Sequence, residues 1–100
     1  MSEPIISDLA REDLVEIWAT IAEARDEKTA ERMTGKILAK CRTHALFPES
    51  GRSREEILPG LRSFPVKPYV VFYRVETGTI LVLRILHGRR DVERVMNPPN

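Results

Sequence analysis

One hundred residues, 42% of them hydrophobic, make a single small domain (1–100) with material for one core and none for a second. The lone cysteine, Cys41, excludes an internal disulfide and a cysteine-based zinc site. No apolar run reaches the roughly 20 residues of a bilayer span, and the first residues lack a basic-then-apolar leader pattern, so a soluble, cytoplasmic protein without membrane contact is expected. The formal charge of +1 is unevenly divided. Residues 61–100 carry seven Lys or Arg against three acids, and residues 1–60 nine against twelve. An acidic or polyanionic partner on the C-terminal part is the implied consequence. The asymmetry stops short of the concentrated basic stripe of a direct nucleic-acid binder.

In chain order, Glu3 to Ser7 is short and β-branched and predicts a brief strand. Ser7 is a helix N-cap, its hydroxyl suited to an unpaired amide of the first turn, with Glu12 and Asp13 near the positive helix end. Ala10, Leu14, Ile17, Trp18 and Ile21 then recur at helical spacing, giving an amphipathic helix that ends near Ala24. Asp26 caps a second helix, with Ala30, Met33, Ile37, Leu38, Cys41 and Ala45 on its buried side. The short link predicts an antiparallel hairpin. Gly35 costs about 1 kcal/mol in a helix interior relative to alanine, and close approach to the first helix is the expected compensation.

Pro48 and Gly51 close the second helix, and Ser50 to Glu56 reads as a polar loop. Leu61 to Val66 is a weak strand whose Pro65 suggests an edge position. Tyr69 to Val75 and Thr79 to Leu86 are strong strands, joined by Glu76-Thr77-Gly78 as a hairpin loop. The run Ile80-Leu81-Val82-Leu83 does not alternate, which predicts cover on both faces. The helices take one face. For the other, nothing in the chain is left over, so an uncovered apolar surface is expected. In the tail, Val92, Val95 and Met96 form one apolar helical face, and Pro98 and Pro99 prevent extension.

Candidate chemistry concentrates at the end of the last strand. His87, Arg89 and Arg90, with Arg84, form a basic cluster suited to phosphate or carboxylate recognition by guanidinium forks. The plainer alternative is a polar strand terminus in which Asp91 pairs with an arginine. Cys41 lies on the apolar stripe and reads as a buried thiol. Tyr69 and Tyr73 read as packing residues. Two widely spaced histidines and one cysteine do not converge into a metal site, and His44 suits a helix C-terminus without further role. Arg62, Lys67, Arg74, Arg84, Arg89 and Arg90 could stabilise charge in phosphodiester cleavage, but no convincing acid or base accompanies them near the C-terminus.

The motifs resemble the RelE/ParE toxin superfamily, and specifically its ParE branch. The residues that carry this are Ser7 and Ala10; Asp13-Leu14 and Ile17; Pro48 with Gly51-Arg52; Pro59-Gly60-Leu61-Arg62-Ser63; Tyr69 with Phe72-Tyr73-Arg74; and Arg84-Ile85-Leu86-His87-Gly88-Arg89-Arg90-Asp91. The resemblance implies an α+β, RelE/ParE-like fold: a short N-terminal strand, an antiparallel two-helix hairpin, a three-stranded antiparallel meander and a short C-terminal tail. It also implies a toxin of a type II toxin–antitoxin pair that inhibits DNA gyrase without catalytic residues, cofactor or metal. A cognate ParD-like antitoxin would neutralise it in a hetero-oligomer, and DNA would be met only indirectly, through the antitoxin or gyrase.

On that reading the expected gyrase contacts are Arg84, His87, Arg89 and Arg90, and the expected antitoxin contacts are Leu14, Trp18, Ile21, Phe64, Val66 and Phe72. The alternative is a RelE-type, ribosome-dependent mRNA endonuclease using Arg62, Arg84 and Arg90. RelE-like members place an arginine directly after the tyrosine of the central strand and a Tyr or His near the C-terminus. Here Val70 follows Tyr69, and no Tyr or His follows His87. A third reading is a relic that keeps only antitoxin binding and autoregulation.

Overall fold

The computed structural model describes residues 3–89 and 92–96. Its elements are β1 (Ile5–Ile6), α1 (Asp8–Ala24), α2 (Glu27–Leu46), β2 (Arg52–Ser53), β3 (Leu61–Val66), β4 (Tyr69–Glu76), β5 (Thr79–His87) and α3 (Val92–Met96). The five described strands form one sheet in the order β1-β5-β4-β3-β2. β1 runs parallel to β5, and all other pairs are antiparallel. This is the expected α+β arrangement of strand, helical hairpin and meander. No described helix is long and apolar enough to cross a membrane.

Both helix starts follow from their caps. The Ser7 hydroxyl accepts from the Ala10 amide at 3.1 Å and donates to the Leu83 carbonyl at 3.0 Å, so the α1 cap also ties the helix to β5. Asp26 accepts from the Thr29 amide at 2.7 Å. That bond holds the Asp26 carboxyl below its ordinary range. The hairpin then lays Ala10, Ile17, Ile37, Cys41 and Ala45 against Phe64, Val66, Val71, Tyr73, Ile80, Val82 and Ile85 of the sheet.

Three expectations are corrected. The second face of the sheet is covered by the chain itself: Leu61, Phe72 and Leu86 are buried there beneath Ile57 and Leu58 of the loop and Val92, Val95 and Met96 of α3. Two short segments, each too brief to look like a layer, together make one. Gly35 is exposed, and nothing lies within 4 Å of where its Cβ would stand, so no helix approach offsets its propensity cost. The loop after α2 contains a strand, β2, whose Arg52 and Ser53 pair with Ser63 and Arg62. The edge reading of Pro65 holds over part of β3, because β2 pairs with only Arg62 and Ser63 and leaves the outer side beyond Ser63 open.

A bulge lies in β5. Phe72 pairs with Arg84 but Tyr73 with Val82, so Leu83 is the extra residue. Val82 and Ile85 consequently both join the helix-side core, while Leu83 and Leu86 join the opposite cluster. The missing alternation of this strand has two causes, two covered faces and a register shift. At the β4–β5 turn, Gly78 adopts a φ of 70°, the left-handed region that glycine enters without a Cβ penalty.

Candidate functional site

Arg84 is the first of the expected contact residues along β5, and its surroundings decide what it can do. Its Nε and Nη2 donate to the two oxygens of Asp13 at 2.8 and 3.0 Å, a bidentate pair between β5 and α1. The two side chains are only 19% and 11% exposed. Those hydrogen bonds raise the Arg84 pKa above its ordinary value, and burial opposes them in part. Asp13 also accepts from the Ile85 amide at 2.9 Å, satisfying a backbone donor just beyond the two residues that β1 pairs. Arg84 therefore holds the sheet to the helix. Its fork is not presented outward.

Arg62 is likewise engaged. Its Nη1 donates to the carbonyls of Glu49 and Gly51 at 3.0 and 2.8 Å, pinning the loop between α2 and β2. The same loop is gripped from inside by Tyr73, whose buried hydroxyl donates to the Pro48 carbonyl and accepts from the Gly51 amide, both at 2.8 Å. A Cβ on Gly51 would collide with the Tyr73 hydroxyl and ring, so this close approach requires glycine. His44 completes the anchor. It stacks on Phe64 with ring centroids 4.0 Å apart, and its Nδ1 is hydrogen-bonded to the Ser50 hydroxyl at 2.7 Å.

At the strand end, His87 is exposed, meets Tyr69 edge-on with centroids 5.8 Å apart, and accepts at Nδ1 from the Arg89 amide at 3.2 Å. Arg89 is exposed. Arg90 and Asp91 lie outside the described residues, and with them the Asp91–arginine pairing. Asp13, Glu16, Thr20, Tyr69 and His87 help to line a cleft of about 180 Å³, so the histidine borders carboxylates on its α1 side. Among the described residues, no three His, Cys, Asp or Glu are grouped to hold a metal ion.

The residues that fix this architecture are those of the sequence motifs, and comparison with known proteins gives them a family. The chain matches the ParE toxin of type II toxin–antitoxin systems, parDE, over residues 5–92. It belongs to the ParE toxin family. It is 35% identical over 91 residues to Toxin ParE3 of Caulobacter vibrioides, covering 91% of this chain and 86% of that protein. It is 35% identical over 94 residues to Toxin ParE1 of Mycobacterium tuberculosis, covering 93% and 96%. A solved structure, the chromosomal ParDE TA system from P. aeruginosa, superposes with a TM-score of 0.75 at 21% identity, over 87% of this chain and 96% of that one. That likeness shows the shared fold.

Membership of the ParE family implies an antitoxin partner, which sharpens the question of which apolar residues are free to meet one. Leu14, Trp18 and Ile21 are half-buried on α1. Phe64, Val66 and Phe72 are not surface residues: they are 3%, 5% and 1% exposed. Phe64 and Val66 pack under the hairpin and Phe72 under the loop and α3. Their expected exposure is corrected: the hairpin covers Phe64 and Val66, and the second layer that the chain supplies covers Phe72. The large apolar side chains that do face outward include Val15, Leu46 and Phe47, none of them anticipated. Val15 stands one residue off the stripe of Ala10, Leu14, Ile17 and Ile21, and that offset was the available signal. Leu46 and Phe47 close α2 with no partner in the pattern.

Proposed function

We propose that this ParE-family chain arrests growth by binding and inhibiting DNA gyrase in the cytoplasm, by recognition rather than catalysis, and is silenced by a ParD-like antitoxin. Family membership supplies the toxin and the antitoxin. The observation that favours recognition over the RelE-type alternative is the engagement of Arg62 and Arg84. A ribonuclease would need both cations on a phosphodiester, yet Arg62 holds the β2 loop while Arg84 holds α1. They stand on β3 and β5 with β4 between, about 10 Å apart at normal strand spacing.

The surface proposed to meet gyrase is the end of β5, with His87, Arg89 and Arg90 as contacts and Arg84 as the anchor that sets the strand end in place. The antitoxin is proposed to cover the apolar residues of the hairpin, including Trp18 with Leu14 and Ile21, and the exposed Val15. The test is a gyrase supercoiling and cleavage assay with purified protein. Inhibited turnover or trapped cleaved DNA, relieved by the antitoxin, is the expected result. No effect at excess toxin, together with codon-specific mRNA cuts in a translating extract, would replace it with the endonuclease reading.

A further inference from the structure

The hairpin turn between α1 and α2 and the turn joining β3 to β4 meet at one end of the molecule, and a cleft of about 340 Å³ opens between them. Ile21, Met33 and Tyr69 give it an apolar, partly aromatic floor, and Arg25, Arg32 and Lys36 give it a cationic rim. Among the described residues, no carboxylate lines it. Among the described residues these three cations make no ion pair. Asp26 feels Arg25 and Arg32 electrostatically but is committed to the Thr29 amide. Arg32 and Lys36 stand four residues apart on one face of α2, where like charges repel unless an anion lies between them.

We propose that this cleft binds a small organic phosphate carrying an aromatic body, of the nucleotide class. The site adjoins the β5 end proposed to meet gyrase, across the Tyr69–His87 contact, and lies on its α2 side. Guanidinium and ammonium donors on one side match a phosphate, and an aromatic wall on the other matches a flat ring, which stacks with little regard to its substituents. The edge-on contact with His87 restrains the Tyr69 ring. Beyond that ring lies the cleft bordered by Asp13 and Glu16, which repels phosphate and so directs it toward α2. The volume sits at the low end of the roughly 300–1,000 Å³ of small-ligand pockets, too small to enclose a helix about 10 Å wide.

The experiment titrates the full chain into N-methylanthraniloyl-ADP and follows anisotropy, with unlabelled ADP and inorganic pyrophosphate as competitors. Saturable binding displaced by ADP is expected, weakened about tenfold or more in Arg32→Ala/Lys36→Ala, which removes two phosphate donors. Lys28→Ala and Lys40→Ala, on the same helix but outside the cleft, should bind as the parent does. Tyr69→Leu should weaken ADP far more than pyrophosphate. Absence of saturable binding at millimolar ADP, or equal binding by Arg32→Ala/Lys36→Ala, overturns the proposal. Pyrophosphate competing as well as ADP also overturns it, because the site would then recognise a bare anion.

Discussion

The Asp13 carboxylate accepts from two consecutive residues of β5, through the Arg84 guanidinium at 2.8 and 3.0 Å and the Ile85 amide at 2.9 Å. Together with the Ser7 tether, this side chain fixes the position of α1 on the sheet, and it closes the part of β5 that β1 is too short to reach. Sheet edges left open invite pairing with other chains, and a carboxylate seated on the edge donor is a compact way to prevent it.

Removing that carboxylate should be costly. Asp13→Ala leaves a partly buried guanidinium and a backbone amide without their acceptor, for an expected loss of about 2–3 kcal/mol. Arg84→Lys should recover only part of the pair, because an ammonium cannot make the two-pronged contact. Urea unfolding of the single variants and of Asp13→Ala/Arg84→Ala gives the coupling directly. Additive losses would show that the pair is not a unit.

The Tyr73 hydroxyl bridges Pro48 and Gly51 from within the core. Tyr73→Phe keeps the ring but strands the Gly51 amide, and a loss of about 1–3 kcal/mol is expected. Gly51→Ala should cost a similar amount by overpacking, about 1–3 kcal/mol. Thermal unfolding measures both. An unchanged midpoint in Gly51→Ala would mean that the loop moves away freely.

His44 introduces a pH dependence whose direction is fixed. Burial against Phe64, and secondarily Lys40, lowers its pKa below the ordinary value near 6.5. The folded state then binds fewer protons there than the unfolded state, so stability is complete above about pH 6.5 and falls as pH drops through the lowered folded pKa. Denaturation midpoints between about pH 7.5 and about pH 5.5 should decline for the parent chain and flatten in His44→Phe, which keeps a stacking ring and removes the titration. Equal slopes in the two proteins would place the dependence elsewhere.

Cys41 is fully buried, and desolvation pushes its thiol up to about 12. The thiolate is the reacting species, so alkylation by iodoacetamide should be negligible in the folded chain and rapid in denaturant. Fast modification at neutral pH without unfolding would contradict that burial.

The helices were legible because their causes are local. Ser7 and Asp26 announce their caps, and apolar residues three and four apart announce the buried faces. The strong strands were readable for the same reason. The two-residue pairing of Arg52 and Ser53 was hidden, since polar side chains carry no strand period. So was the bulge at Leu83, because in a strand covered on both sides a slip of one residue leaves an equally apolar sequence. The second layer was missed because Ile57-Leu58 and Val92-Val95-Met96 are more than thirty residues apart and each is too short to suggest a face. At the site, the positions of Arg84, His87 and Arg89 in the strand were visible. The Asp13–Arg84 pairing was not, because it joins residues 71 apart that no local pattern connects.

The parallel pairing of Ile5 with Leu81 sets a condition on synthesis. The first strand to leave the ribosome must wait for nearly the last, and the Ser7 tether to Leu83 waits with it. The α1–α2 hairpin can assemble early from local contacts, but the layer that seats it is complete only after β5 has emerged. A prematurely terminated chain lacking β5 therefore keeps the contacts of α2 with Phe64 and Tyr73 but loses the strand that holds β1 and α1, and truncated translation products of this toxin should be inert.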